Sequence, residues 1–576
     1  ALGMHRVYNS AFMNMLRDEK NVEYRQLIKN TLEFDPQILK RYVNFMNNPD
    51  ERTAADQYGK GDKYFGICTM LATMPGLPMF GHGQVEGYTE KYGMEYRKAY
   101  WNELPDPYLV QRHEHQIFPL LHRRYVFAEV DNFLLYDFFV PEGHVDENVF
   151  AYSNRRNNHR ALVLYHNKYA ETRGYVRYSA AYAVKDAAGE KHLVQRTLAE
   201  GLNLPDRDDV YIIFRDTVTD LEYIRNAHTL CTHGLYAELH AYQVHVFVDF
   251  REIHDNEWRQ YAQLAEFLNG RGVPSVEEAL KELFLAPVHE PFRMLVSAPA
   301  FRWLIAARVK AGEVLDPGVL AQVEQKMLDV LHAVEHVTRS GSESSVNTIE
   351  AIASDVRDQL EVALSLSARL TSVDPDDQVY ADAVSYILNG LQTDDPAIWG
   401  TLLGLLFTRP LGKVVDPVNF TEVSRSWLDE WLLGKLIANA LQDMALDEAE
   451  AWYAVTAIKM LISYCHWFEQ EERMDISVSK SPLAYRILHT ALQQQDVQTY
   501  LGLNRYQGIL WFNKEAFEQW LWWLMLFRTL GLVGEDKPAV EMAADFTTFY
   551  GLIEQLLAAA ENSGYQVARL LEIVSA

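Results

Sequence analysis

Short apolar runs alternate with stretches of helical spacing from the start of the chain to about residue 128. Arg6-Val7-Tyr8-Asn9 reads as a short strand. From Val22 to Lys40, Tyr24, Leu27, Ile28, Leu32 and Leu39 recur near a helical period. A second strand is predicted at Arg41 to Met46, a helix at Lys63 to Thr73 that stops at Pro75-Gly76, and a third strand at Leu77 to Phe80. The strand centres Val7, Val43 and Met79 are 36 and 36 residues apart. That strand–helix–strand period is what consecutive βα units of a parallel sheet or barrel produce. A complete eight-unit barrel takes ~250 residues, so residues 1–128 hold about half of one.

The texture changes at residue 129. Ala161 to Tyr165, Tyr175 to Val184, Val210 to Phe214 and Leu235 to Phe250 are strand-like. In the last run Val244, Val246 and Val248 alternate with His245, Phe247 and Asp249, the period of a half-buried strand. Residues 129–254 are expected to form an antiparallel, sandwich-like β-domain. From residue 255 to 576 the pattern is helical: Ser275-Val276-Glu277-Glu278 has capping-box form, and Ile352, Val356, Leu360 and Leu364 form an i, i+4 stripe. Nine of the twelve tryptophans lie between Trp399 and Trp523. Helix–helix packing is the plainer use for them, and an aromatic platform for sugar faces is the alternative. Ser340 to Ser345 reads as a short polar linker.

Charge narrows the choice of partner. With 53 Lys and Arg against 79 Asp and Glu, the formal charge is −26, which disfavours nucleic acid and anionic membrane. No apolar run approaches the ~20 residues of a membrane helix, and no signal peptide is expected from the opening residues. Cys68, Cys231 and Cys465 are too few and too scattered for a disulfide framework or a structural zinc site. So few cysteines slightly favour a reducing, cytoplasmic compartment. No metal and no cofactor are expected. Arg112-His113-Glu114-His115 sets its imidazoles on different helix faces, which argues against a metal site there.

Two predicted strand ends are unusually polar. Asn47-Asn48-Pro49-Asp50-Glu51-Arg52 gathers amides, carboxylates and a guanidinium, and Gly81-His82-Gly83-Gln84-Val85-Glu86-Gly87-Tyr88 lets backbone approach a ligand. In βα barrels, functional side chains collect at such C-terminal strand ends, although Asn-Pro-Asp is also an ordinary turn. Tyr100 and Trp101, beside Asn102 and Glu103, could border a cleft, with packing against the barrel expected instead.

These residues carry a resemblance. Tyr42 to Asp50 resembles the seventh-strand motif of the α-amylase family, glycoside hydrolase family 13. Met74-Pro75-Gly76-Leu77-Pro78-Met79-Phe80-Gly81-His82-Gly83-Gln84 is similar to the family's eighth-strand segment. The resemblance covers about 250 residues and leaves the helical region unmatched. It implies that Asp50 steadies an oxocarbenium-like transition state and grips sugar hydroxyls, with Asn47, Asn48, His82 and Gln84 as substrate contacts. Pro49 stands where the family usually has a sugar-binding histidine, so hydroxyl recognition there must differ or come from His82 or Asn47. A retaining glycosidase needs two further carboxyls about 5 Å apart. The resemblance places both before Ala1. Asp18, Glu19 and Glu23 are candidates by type only, expected at a solvated helix start.

The chain is therefore expected to be a C-terminal piece of a retaining glycosidase acting on α-glucans or maltooligosaccharides, inactive alone. The fold expected is multidomain: a partial (β/α)8 (TIM) barrel, a β-domain and an all-α domain. The alternatives are an α-glucan transglycosylase and a non-catalytic amylase-like protein that binds glycans or partners.

Overall fold

The computed structural model describes residues 5–91, 98–186, 189–310, 312–338, 346–372, 377–464, 482–535 and 538–575. Cys465 and the Ser340 to Ser345 linker lie outside the described residues. The chain divides into two compact units, Ala1–Leu280 and Lys281–Ala576.

The first unit begins with β1 (Val7–Tyr8), α1 (Ser10–Arg17), α2 (Asn21–Phe34), β2 (Tyr42–Phe45), α3 (Ala54–Tyr58), α4 (Asp62–Thr73) and β3 (Leu77–Met79). The strands pair in parallel in the order β1-β2-β3, with Tyr8 opposite Val43 and Phe45 opposite Met79. A line of amides ties them together. Asn9 caps α1 by accepting from the Phe12 N–H and donates to Asn44 Oδ1 at 2.9 Å, and Asn44 donates to the Pro75 carbonyl at 3.1 Å. The 36-residue period thus yields a three-stranded parallel sheet. An eight-strand barrel is not formed by the described residues, since closure needs strands on both flanks and β1 pairs only with β2.

The expected β-sandwich is replaced by one curled antiparallel sheet. Its strands are β4 (Leu134–Phe139), β5 (Val149–Arg156), β6 (His159–His166), β7 (Thr172–Ser179), β10 (Val210–Asp216), β11 (Glu222–Asn226), β12 (Leu235–Leu239) and β13 (Val244–His254). A separate hairpin, β8 (Tyr182–Lys185) with β9 (Lys191–Val194), lies between them in sequence. The sheet order is β11-β10-β13-β6-β5-β4-β7-β12. Register shifts between Ile213 and Arg215, and between Tyr136 and Phe138, bend the strands as bulges do. A single curled sheet encloses apolar side chains without a second antiparallel sheet facing it.

This sheet and the parallel strands share one core, running from Phe12 and Phe45 through Tyr64 and Leu71 to Leu164 and Val246. α4 is buried from Tyr64 to Thr73. It lies against β6 at Gly66, where a Cβ would sit 2.0 Å from the Tyr165 ring. Only glycine permits that approach.

The second unit is almost wholly helical. Ile352, Val356, Leu360 and Leu364 are all buried, as their i, i+4 spacing requires. Trp399, Trp520 and Trp523 are fully buried, and Trp427 stacks on Trp431 at 4.0 Å. Packing is the principal use of these aromatics. Among the described residues, no helix is long and apolar enough to cross a membrane.

Candidate functional site

Parallel pairing brings the two polar loops to the same sheet edge. β2 runs out into Asn47 to Arg52 and β3 into Gly81 to Tyr88, and the ends touch at two points, Gln84 on Met46 and Gly81 on Asn47. The Gly81 N–H donates to Gln84 Oε1 at 3.0 Å, and the Gln84 amide donates to the Met46 sulfur at 3.3 Å. Gly81 also lies against the Asn47 amide, where a Cβ would fall 2.3 Å from Oδ1.

The five residues singled out by the sequence stand in different surroundings. Asp50 is exposed in a turn. Its N–H donates to Asn48 Oδ1 at 2.9 Å and its carbonyl accepts from Lys91 Nζ at 2.6 Å. Its carboxylate has no hydrogen bond or ion pair to any described residue. Asn48 is half-buried and shapes that turn. Asn47 is 5% exposed, and its Oδ1 is buried without a hydrogen-bond partner. His82 is exposed, its ring 6.3 Å from Tyr88. Gln84 is 2% exposed, with its amide used within the fold. Asp50, Asn48 and His82 thus reach solvent, whereas Asn47 and Gln84 form the floor.

Beneath that floor lies a buried cluster of polar side chains. Tyr64 donates to the Gln84 carbonyl at 2.8 Å, and its hydroxyl is 3.2 Å from His113 Nε2. His113 Nδ1 donates to the Leu109 carbonyl at 2.9 Å, and burial lowers the His113 pKa. Burial also pushes the Cys68 thiol far up, which makes it inert. His115, by contrast, is exposed.

A strap extends the site. The Glu90 carboxylate, 2% exposed, accepts from the Tyr100 and Trp101 N–H groups at 2.9 and 3.0 Å. Glu103 accepts in return from the Thr89 hydroxyl and N–H and from the Glu90 N–H at 2.6 to 2.9 Å. Burial opposes ionisation of Glu103, but these bonds together hold its pKa below the ordinary value. Tyr100 and Trp101 are 75% and 57% exposed. The expectation that they pack against the sheet is corrected: the strap's hydrogen bonds turn their backbone inward and their rings outward.

Glu19 also departs from expectation. It is no solvated helix start but sits between α1 and α2 with φ 54°, accepting from Tyr242, Lys63 and Lys168 at 2.7, 2.9 and 3.0 Å. Burial raises its pKa, and the three bonds outweigh that and lower it to about 2. Sequence spacing carried no sign of these partners, which arrive from α4, the end of β6 and the β12–β13 turn. Arg25 was missed for the same reason. Fully buried, it donates to Asp137 at 2.7 Å, to the Val149 carbonyl at 2.7 Å and to Glu147.

Asp186, Glu190 and His192, near the β8–β9 turn, have ligand atoms within 4.8 Å of one another. All three are exposed, and Asp186 already accepts from His192 at 3.0 Å.

No family model matches the chain, and no curated relative does. Solved structures are similar to part of it. The likeness is to α-amylase-family structures. One is an α-amylase from Geobacillus thermoleovorans complexed with acarbose, 12% identical, with TM-score 0.25, covering 36% of this chain and 39% of that one. A second is a maltogenic α-amylase from Thermotoga neapolitana, 15% identical, with TM-score 0.26 and coverage of 42% and 50%. A third is the gamma-CGTase of alkalophilic Bacillus clarkii, 15% identical, with TM-score 0.26 and coverage of 42% and 31%. This chain therefore spans half or less of the length of each.

Proposed function

We propose that this chain supplies the Asp50 side of an α-glucan site in an α-amylase-like, retaining glycoside hydrolase. The observation that carries the reading is the contact between the two motif-bearing loops, Gly81 against Asn47, at the C-terminal edge of adjacent parallel strands. Around it, the Asp50 carboxylate, without a partner among the described residues, and the His82 ring offer groups that sugar hydroxyls can meet. The exposed Tyr100 and Trp101 rings, joined to Asp50 through Lys91 and Glu90, offer apolar faces on which a pyranose can stack. A carboxylate so placed is worth more as positive charge develops than in the ground state.

The resemblance gives the nucleophile and the acid/base no counterpart among these residues, so the chain alone binds maltooligosaccharide without turning it over. Titration of maltoheptaose into the full chain tests this. Binding weakened by Asp50→Asn and by Trp101→Ala, with no reducing sugar released, is the expected result. Hydrolysis by the chain alone that survives Asp50→Asn would refute the assignment, as would absence of any binding. A second reading, a glycan-binding amylase-like protein without catalysis, draws on the Gln84 amide, which is spent on Gly81 and Met46 and not left to a substrate. A transglycosylase shares this same half-site.

A further inference from the structure

In the helical unit, three helices leave a cavity of about 310 Å³. Its apolar wall is Val362, Leu405, Leu406, Phe527 and Leu530. These come from the helices Val346–Thr371, Pro396–Thr408 and Lys514–Gly534. Along the last, Phe527, Leu530, Gly531 and Gly534 follow i, i+3, i+4, i+7, a face that ordinarily meets another helix. Two of those four positions are glycines, and a Cβ at Gly534 would meet only Val362 Cγ2, at 3.8 Å. The missing side chains leave the space.

The polar side of the cavity is Asp355, Arg409 and Lys413, with Asp358 beside them. Most of these charges are matched. Lys413 donates to Asp355 at 2.9 Å, Gln359 donates to Asp355 at 3.0 Å, and Arg357 holds Asp358 at 2.7 Å. Arg409 is the exception. Its guanidinium lies over the Phe420 ring at 5.2 Å, its Nε is buried without a hydrogen-bond partner, and it makes no ion pair with any described residue. Asp355 is near enough for Arg409 to help lower its pKa, after burial (which raises it) and the Lys413 contacts, yet both of its bonds go elsewhere. A half-buried arginine beside an apolar wall, its buried Nε without a described partner, is a costly arrangement unless an anion completes it.

We propose that this cavity binds a small amphiphilic monocarboxylate, its alkyl body against the Leu405–Phe527 wall and its carboxylate on Arg409. One carboxylate answers one cation that no described residue pairs. A second negative charge would face Asp355 and Asp358 with nothing to offset it, so dicarboxylates and phosphates are disfavoured. The volume is at the small end of ligand pockets, which suits a medium-length chain.

Calorimetric titration of the full chain with sodium octanoate, 1-octanol and octylamine tests the proposal. Octanoate should bind at least tenfold tighter than octanol, the margin of a charge-assisted hydrogen bond, and octylamine should bind no better than octanol. Arg409→Gln should erase the octanoate advantage and leave octanol binding unchanged. Gly534→Leu should fill the space and remove both. Octanoate binding no tighter than octanol, preference for octylamine, or octanoate binding untouched by Arg409→Gln would each overturn it. If Arg409→Gln fails to fold, the comparison of the three probes on the unaltered chain decides alone.

Discussion

Gly81 and Asn47 lie so close that a single methyl group at Gly81 would fall 2.3 Å from the Asn47 side-chain oxygen. Because Asn47 is buried, its amide has little room to swing aside. Gly81→Ala should therefore lower stability by about 1–3 kcal/mol, the usual cost of overpacking. Adding Asn47→Ala removes the clash, so the double variant should recover part of that loss. Urea denaturation of the two single variants and the double gives the coupling; strict additivity would mean that the two residues do not meet.

Arg25 is the buried cation on which Asp137 and Glu147 converge, joined by the Val149 carbonyl. Lys29 also reaches Asp137, at 2.8 Å, but from a more exposed position. Arg25→Met keeps the volume and leaves two carboxylates and a carbonyl short of a donor. A loss of about 3–5 kcal/mol is expected, read as a fall in thermal midpoint of the first unit's unfolding. A change under ~1 kcal/mol would show that Lys29 takes over the pair.

Glu19 sets a pH dependence. Its folded-state pKa of about 2 lies below the ordinary glutamate value of 4.5, so the folded state favours the charged form. The stabilisation from its bonds to Tyr242, Lys63 and Lys168 is present above pH 4.5 and disappears as pH falls toward 2. Glu19→Gln lacks the charge at every pH. The stability gap between the native chain and Glu19→Gln should be open at pH 6 and narrower at pH 3. A gap that stays constant across that range would place the Glu19 carboxylate outside this network.

Asp50→Asn should separate function from folding. Its carboxylate makes no described contact, so the substitution should change stability by less than about 0.5 kcal/mol while weakening maltoheptaose binding severalfold. Equal denaturation curves with unequal titration isotherms are the expected pair of results. If stability drops and binding does not, Asp50 is a turn residue and nothing more.

Local patterning determined a good deal of this protein. The recurrence of Val7, Val43 and Met79 follows from the length of a strand, a helix and their connections, and the three strands pair in parallel as that period requires. The stripe Ile352 to Leu364 follows from the helical repeat and is buried accordingly. The polar loops after β2 and β3 were legible because chemistry at strand ends shows in composition.

Tertiary structure decided what covers each face. Val244 to Val248 alternate in residue type, yet Val244, His245, Val246, Phe247 and Val248 are all buried, because this strand is covered on both sides. His245 is accommodated there by Asp216, 2.8 Å away and itself fully buried. Tyr100 and Trp101 look like core residues in sequence, and it is the buried Glu90 carboxylate, holding their backbone N–H groups, that turns their rings outward. Glu19, Arg25 and the Asn47–Gly81 contact depend on partners distant in the chain. A backbone period is a property of neighbouring residues and survives in any context. Burial, charge pairing and close approach depend on what the folded chain brings alongside.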